Sequence, residues 1–206
     1  MNKLFLVVSI FIVVSTGCSG SSKNQSPSND SNNSQTASSA TMPKAKTVDS
    51  ITLEPKALLD GKLALLLPQG FKQMNQEMLA TKYPAANRPT TVYSNPNGTI
   101  SIAINHTKSP LNQDNLDAFH RTLDPTIRQQ VPNAKWMFSG FQIHNGRRWV
   151  QLEFQSPAVD TTIHNMMVAT SLENRTLIVS FNVTEELSKE WLGVGREIIG
   201  SLHIAE

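Results

Sequence analysis

Along this chain the spacing of apolar residues alternates between a period of two and a period near 3.6, and each shift predicts a change of element. Lys62-Leu63-Ala64-Leu65-Leu66-Leu67 is a largely apolar run closed by Pro68-Gln69-Gly70, which predicts a buried strand followed by a turn. Gln73 to Tyr83 reads as a short helix stopped at Pro84. Thr90 to Ser94 and Thr99 to Ile104 flank Asn95-Pro96-Asn97-Gly98, a hairpin in which Gly98 supplies the positive φ of the reversal. From Leu111 to Val131 the helical period returns, with Leu116, Phe119, His120, Leu123 and Ile127 on one side, and Pro125 is expected to kink or divide the helix.

After Pro132 the period drops to two again. Trp136, Phe138, Phe141 and Ile143 lead into Asn145-Gly146, the strongest hairpin signal in the chain, and Arg147 to Gln155 is the returning strand. In it Val150, Leu152 and Phe154 share one face, and Trp149, Gln151 and Glu153 the other. Thr161 to Ser171 and Arg175 to Val183 form a further hairpin around Leu172-Glu173-Asn174, with Leu177, Val179, Phe181 and Val183 on a buried face. Thr184 is placed to cap a terminal helix, with Glu185 and Glu186 in the favourable first turn. That helix runs to about Leu202 and carries a stripe of Leu187, Trp191, Val194, Ile198 and Leu202 that should pack on the sheet. The sum is an α+β fold, an antiparallel β-sheet flanked by α-helices.

The first 47 residues follow neither period. Leu4 to Val14 is an eleven-residue run, apolar except for Ser9, preceded by Lys3 and followed by Ser15-Thr16-Gly17 and Cys18, the single cysteine. The run is too short to span a bilayer as a helix, which takes about 20 apolar residues. It has the layout of a signal peptide, residues 1–17, with Cys18 as the lipid-modified start of the mature chain. A plain secretory signal is the rival reading, because Ser15 and Gly17 also suit the common signal peptidase and the usual lipoprotein box has Leu where Ser15 stands. An unpaired cysteine in an exported chain has no disulfide to make, and that favours lipidation. Residues 19–47 hold nine Ser and four Asn, with Met42 as their one large apolar side chain. Such a segment is expected to be a disordered tether with a mean reach of roughly 30 Å, so the expected domain spans residues 48–206. Ser19, in place of an Asp after Cys18, tips the expected sorting of a periplasm-facing anchored protein toward the outer rather than the inner membrane.

Residues 48–206 carry 14 Lys or Arg against 15 Asp or Glu, so the domain is near neutral and no basic stripe points to nucleic acid. The histidines His106, His120, His144, His164 and His203 occur singly, without a paired metal-ligand spacing, so neither metal nor cofactor is expected. His144 beside the Asn-Gly turn is expected to be exposed, and His164 to be partly buried and satisfied. Asp117, His120 and Asp124 lie near one another on a helix, but no nucleophile turn accompanies them, and a solvated helix face is the simpler account. Arg147 and Arg148 point to opposite faces of their strand. Gly193 and Gly195 read as sites of close helix packing, and Met74, Met78, Met137, Met166 and Met167 mainly as core fillers. Trp149 shares its face with polar residues, so either a helix covers it or it anchors a partner together with Arg147 and Glu153.

Leu65-Leu66-Leu67-Pro68-Gln69-Gly70-Phe71, Lys82-Tyr83-Pro84, Arg88-Pro89 and Val92-Tyr93-Ser94, followed by the Asn-Gly hairpin, two more strands and a Trp-bearing final helix, resemble the DcrB-like bacterial lipoproteins of the PsbP-like fold. The resemblance implies an α/β/α sandwich without a catalytic centre, in a family of binding and assembly factors. It further implies a role in envelope maintenance or phage DNA entry. The expected function is therefore a non-enzymatic envelope lipoprotein, held to the bilayer through Cys18, whose domain binds another envelope protein. The competing expectations are a hydrolase or metal-dependent enzyme built around His144, His164 and Glu153, and a periplasmic chaperone for apolar segments that would report on Trp149.

Overall fold

The computed structural model describes residues 39–84 and 88–205. The signal peptide and Cys18 lie outside the described residues. Among the described residues, two antiparallel sheets and three α-helices form an α+β architecture. The larger sheet has seven strands: β4 (Lys72–Gln73), β5 (Thr91–Ser94), β6 (Ile100–Pro110), β7 (Lys135–His144), β8 (Arg147–Pro157), β9 (Thr162–Leu172) and β10 (Arg175–Thr184). Their spatial order is β4-β5-β6-β10-β9-β8-β7, so the three long hairpin strands β8, β9 and β10 lie side by side and β6 returns beside β10. The connecting reversals follow local chemistry: Glu173 and Asn174, and likewise Asn145 and Gly146, adopt the positive φ of tight hairpin turns.

A smaller sheet was not legible in the sequence pattern. It comprises β1 (Lys46–Val48), β2 (Ile51–Leu58), β3 (Leu63–Pro68) and β11 (His203–Ile204) in the order β1-β2-β3-β11. Only β3 had been expected, because β2 buries Leu53 while Thr52 and Glu54 to Ala57 face solvent, leaving little alternation to read. The expected tether boundary at residue 47 moves with this finding. Lys46 and Thr47 already pair with Leu53 and Thr52, and upstream Ala40 is buried with its amide donating to the Gly61 carbonyl at 2.7 Å.

Helices cover both faces of the large sheet. Helix α1 (Gln76–Lys82), capped by the Asn75 side chain, packs Leu79 with Tyr83, Val92 and Ala103. Helix α2 (Leu116–Gln130) lays Leu116, Leu123 and Ile127 on Val150, Leu152 and Phe154 of β8. Pro125 sits within α2, so the division it was one of two ways expected to cause does not occur. The buried anchors Leu123 and Ile127 flank the proline and hold both halves to the sheet. Helix α3 (Glu185–Gly200) covers the opposite face together with β3, where Val194, Ile198 and Ile199 meet Val168, Val179 and Phe181. Thr184 holds the N-cap position, but its hydroxyl makes no capping bond and is buried without a partner. Gly195 permits the close approach foreseen for it, since a Cβ there would stand 2.4 Å from the Phe181 ring. Among the described residues no helix is long and apolar enough to cross a membrane.

Candidate functional site

The alternation of β8 decides the site. Arg147, Trp149, Gln151 and Glu153 point to the α3 side, whereas Arg148, Val150, Leu152 and Phe154 point to α2. The β7–β8 turn is pinned to the end of α3, because Asn145 Nδ2 donates to the carbonyls of Gly200 (3.0 Å) and Leu202 (2.9 Å). Beneath that clasp lies a pocket of about 270 Å³ whose walls include His144, Arg147, Trp149 and His203. Ser39 and Thr41, where the chain enters the domain, also line the pocket. A second hollow of about 390 Å³, bordered by Met42, Lys44, Lys46 and Glu197, also touches His203.

Trp149 corrects the idea of an exposed partner anchor. It is fully buried in the core beneath α3, which is the helix-covered one of its two expected settings. Among the described residues its Nε1 nevertheless has no hydrogen-bond partner, an unusual condition for a buried indole. His144 is a second correction, because the ring is half-buried with its Nε2 enclosed and lacking a well-formed hydrogen bond. Its ring centroid lies 6.3 Å from that of Trp149. Burial pushes the His144 imidazole below its ordinary value, with the Gln151 side chain working the other way.

Arg147 leans along the sheet, donating to Thr170 Oγ1 at 3.4 Å and to the Ser171 carbonyl. It therefore borders the pocket from a fixed position. Glu153 does not join it. Four residues along β8 from Trp149, about 13 Å at the rise of a strand, it accepts from Gln151 Nε2 at 2.7 Å and lies 3.9 Å from Arg196. Sequence reasoning had grouped Arg147, Trp149 and Glu153; the fold brings together the first two and adds His144, His203, Ser39 and Thr41. Nothing local in the sequence announces the last three, which reach the pocket only when β11 pairs with β3 and the entering chain crosses beside them.

The residues of the enzyme alternative do not converge. His144 ends β7, opposite Arg147 at the start of β8, and His164 stands opposite Gln155 further along that strand. Eight residues of strand, roughly 26 Å, separate those positions. His164 is buried and satisfied as expected, bonded through Nε2 to Glu185 and Gln155. On the other face, His120 Nε2 lies 2.8 Å from Ser139 Oγ, which donates to Asp124 Oδ1 at 2.6 Å. Burial works to raise the Asp124 carboxyl, but hydrogen bonds from Arg128 and Ser139 outweigh it and hold it below the ordinary range. The trio joins α2 to β7 through side-chain hydrogen bonds. It also corrects the picture of a wholly solvated helix face, although Asp117 is solvated and grips Arg148 through two bonds at 2.7 and 2.9 Å. Among the described residues no group of three His, Cys, Asp or Glu is arranged to hold a metal ion.

No protein-family model matches the chain, and no curated protein matches its sequence. Solved structures do. The solution structure of the cyanobacterial PsbP, CyanoP, from Synechocystis sp. PCC 6803 is similar with a TM-score of 0.55 at 12% identity, over 74% of this chain and 92% of that one. LpqN of Mycobacterium tuberculosis, described as involved in cell envelope biogenesis, is similar with a TM-score of 0.47 at 11% identity, over 76% of this chain and 92% of LpqN. At this identity the likeness to CyanoP establishes the fold, which is PsbP-like.

Proposed function

We propose that this protein is a lipid-anchored component of the bacterial envelope, related to the DcrB-like lipoproteins, whose PsbP-like domain binds another envelope component without chemical turnover. The observation that carries the reading is the position of the pocket. Ser39 and Thr41 lie on the segment through which the domain continues toward Cys18, and both line the pocket that also holds Arg147 and Trp149. The binding surface and the attachment point thus share one end of the domain.

The test has two parts. Cells producing the wild type and Cys18→Ala are fractionated: the wild type is expected in the membrane pellet and the variant in the soluble periplasm. Equal membrane association of the two would remove the anchor. Crosslinked capture from intact cells, with an unrelated tethered lipoprotein as control, is expected to recover a specific envelope protein whose yield falls in Cys18→Ala. Turnover of a substrate by the purified chain, abolished by a pocket substitution, would overturn the non-catalytic part.

A further inference from the structure

The outer strand of a sheet leaves one side of its backbone without a ladder partner, and proteins commonly blunt such edges by keeping them short or charged. Among the described residues three of the four sheet edges are short: β1 has three residues, and β4 and β11 have two each. The fourth is β7, ten residues long and paired with β8 alone. None of its residues is buried, against ten of the eleven in β9, and among the described residues no backbone bond from a loop or turn reaches its outer side. A bulge between Trp136 and Phe138 interrupts its first end. The regular stretch that remains, Phe138 to His144, holds no Asp, Glu, Lys, Arg or Pro. Two of the four large apolar side chains that stand exposed among the described residues, Met137 and Ile143, are on this strand.

The turn fixes which backbone groups face outward. Asn145 and Gly146 both have positive φ, so they form the two-residue turn whose flanking pair, His144 and Arg147, exchanges backbone hydrogen bonds. Alternation then turns the N–H and C=O of Gln142, Gly140 and Phe138 toward β8 and those of Ile143, Phe141 and Ser139 toward the free side. We infer that this edge is a dimer interface, in which two copies of the chain pair β7 with β7, antiparallel about a twofold axis at Phe141. Phe141 then faces Phe141 of the other copy, and Ile143 of each faces Ser139 of the other, with about six backbone hydrogen bonds between them. The strand fits itself in size and charge. The exposed Ile143 meets a small residue, and a neutral stretch meets a neutral stretch, since the ions beside it are already paired as Arg148 with Asp117 and Arg128 with Asp124. Pairing consumes the long edge, and the remaining edges are too short to extend the assembly, so it stops at two. The inference goes beyond the anchored binding reading and does not depend on it.

The test is sedimentation equilibrium of the full chain carrying Cys18→Ala, which has no lipid attachment point and no other cysteine. Edge pairing of one strand falls at the small end of specific interfaces, so a monomer–dimer equilibrium is expected within about 5–500 μM. Two substitutions at Ile143, 71% exposed, leave the core untouched and are expected to keep the circular dichroism spectrum of the folded chain. Ile143→Pro removes an outward N–H and no bond to β8. Ile143→Glu sets a carboxylate opposite Ser139, whose hydroxyl donates to Asp124 at 2.6 Å. Each is expected to weaken association at least tenfold. Phe141→Cys reads the axis itself, because two Cα atoms about 5.5 Å apart are within reach of a disulfide. Under mild oxidation it should form a covalent dimer at least tenfold faster than Val159→Cys, an exposed control away from β7. A monomer throughout that range, assemblies larger than two, wild-type association in both Ile143 variants, or crosslinking of Phe141→Cys no faster than the control would each overturn the inference.

Discussion

Two glycines two residues apart on α3 have opposite predicted responses to the same substitution. Glycine in a helix interior costs about 0.8–1.0 kcal/mol relative to alanine, so in open space Gly→Ala should stabilise by that amount. At Gly193 the added Cβ would have Asp49 Oδ2 at 3.6 Å as its nearest neighbour, an ordinary contact. Gly193→Ala is therefore expected to gain about 0.5–1 kcal/mol. At Gly195 the Cβ would stand 2.4 and 2.5 Å from two carbons of the Phe181 ring. Carbon contacts are comfortable only from about 3.5 Å, so the ring or the helix must move by about 1 Å. Phe181 is fully buried in the core that α3 shares with the sheet. Overpacking of this kind costs about 1–3 kcal/mol, which outweighs the gain in propensity and leaves Gly195→Ala about 1 kcal/mol less stable than the wild type. Urea unfolding followed by circular dichroism reads both variants. The argument has an internal control in Phe181→Leu, which removes the offending ring carbons: in that background Gly195→Ala should no longer destabilise, giving a coupling of about 1–2 kcal/mol. If Gly195→Ala stabilises the wild type as much as Gly193→Ala does, helix α3 stands further from the sheet than described and the reasoning fails.

Three further outcomes are expected. Trp149→Ala should cost about 3–5 kcal/mol in the same unfolding assay because a fully buried ring leaves a cavity; a loss below about 1 kcal/mol would return Trp149 to the surface. Asn145→Gly keeps the left-handed turn but deletes both bonds to the end of α3, and should cost about 1–2 kcal/mol, whereas stability equal to the wild type would show that the clasp does not form. For His144 the unfolded imidazole titrates near its ordinary value of 6.5 and the folded one below it, so the stability tied to its neutral form is complete above about pH 6.5 and is lost as pH falls below that. Between pH 7.5 and 5.5 the wild type should lose more stability than His144→Gln, and an NMR titration midpoint for His144 at or above 6.5 would contradict the burial argument.

Wherever a structural signal was carried by neighbours in the chain, it was legible beforehand. The Asn145-Gly146 turn, the alternation of Leu177, Val179, Phe181 and Val183, and the stripe on α3 all rest on φ preferences and on periods of two or 3.6, which act over a few residues. The division of β8 into two faces was likewise determined locally, and both faces are covered as that division requires. Pro125 does not divide α2, in which Leu123 and Ile127 on either side of it are buried against β8, a contact that exists only once the sheet is there. The small sheet was hidden because β2 has little alternation of its own and joins β1, β3 and β11 through pairing across the length of the chain, as where His203 meets Ala64.

The sequence by itself determined the hairpins, the helical stripes, the α+β class and the pairing of Arg147 with Trp149 on one face, since each follows from backbone and side-chain preferences that need no distant partner. Only the tertiary structure decided that Trp149 lies buried under α3, that Glu153 stands apart from it, and that Ser39, Thr41 and His203 line a pocket beside it. Those outcomes depend on which elements meet in space, and burial, desolvation and hydrogen-bond satisfaction take their values only after that meeting.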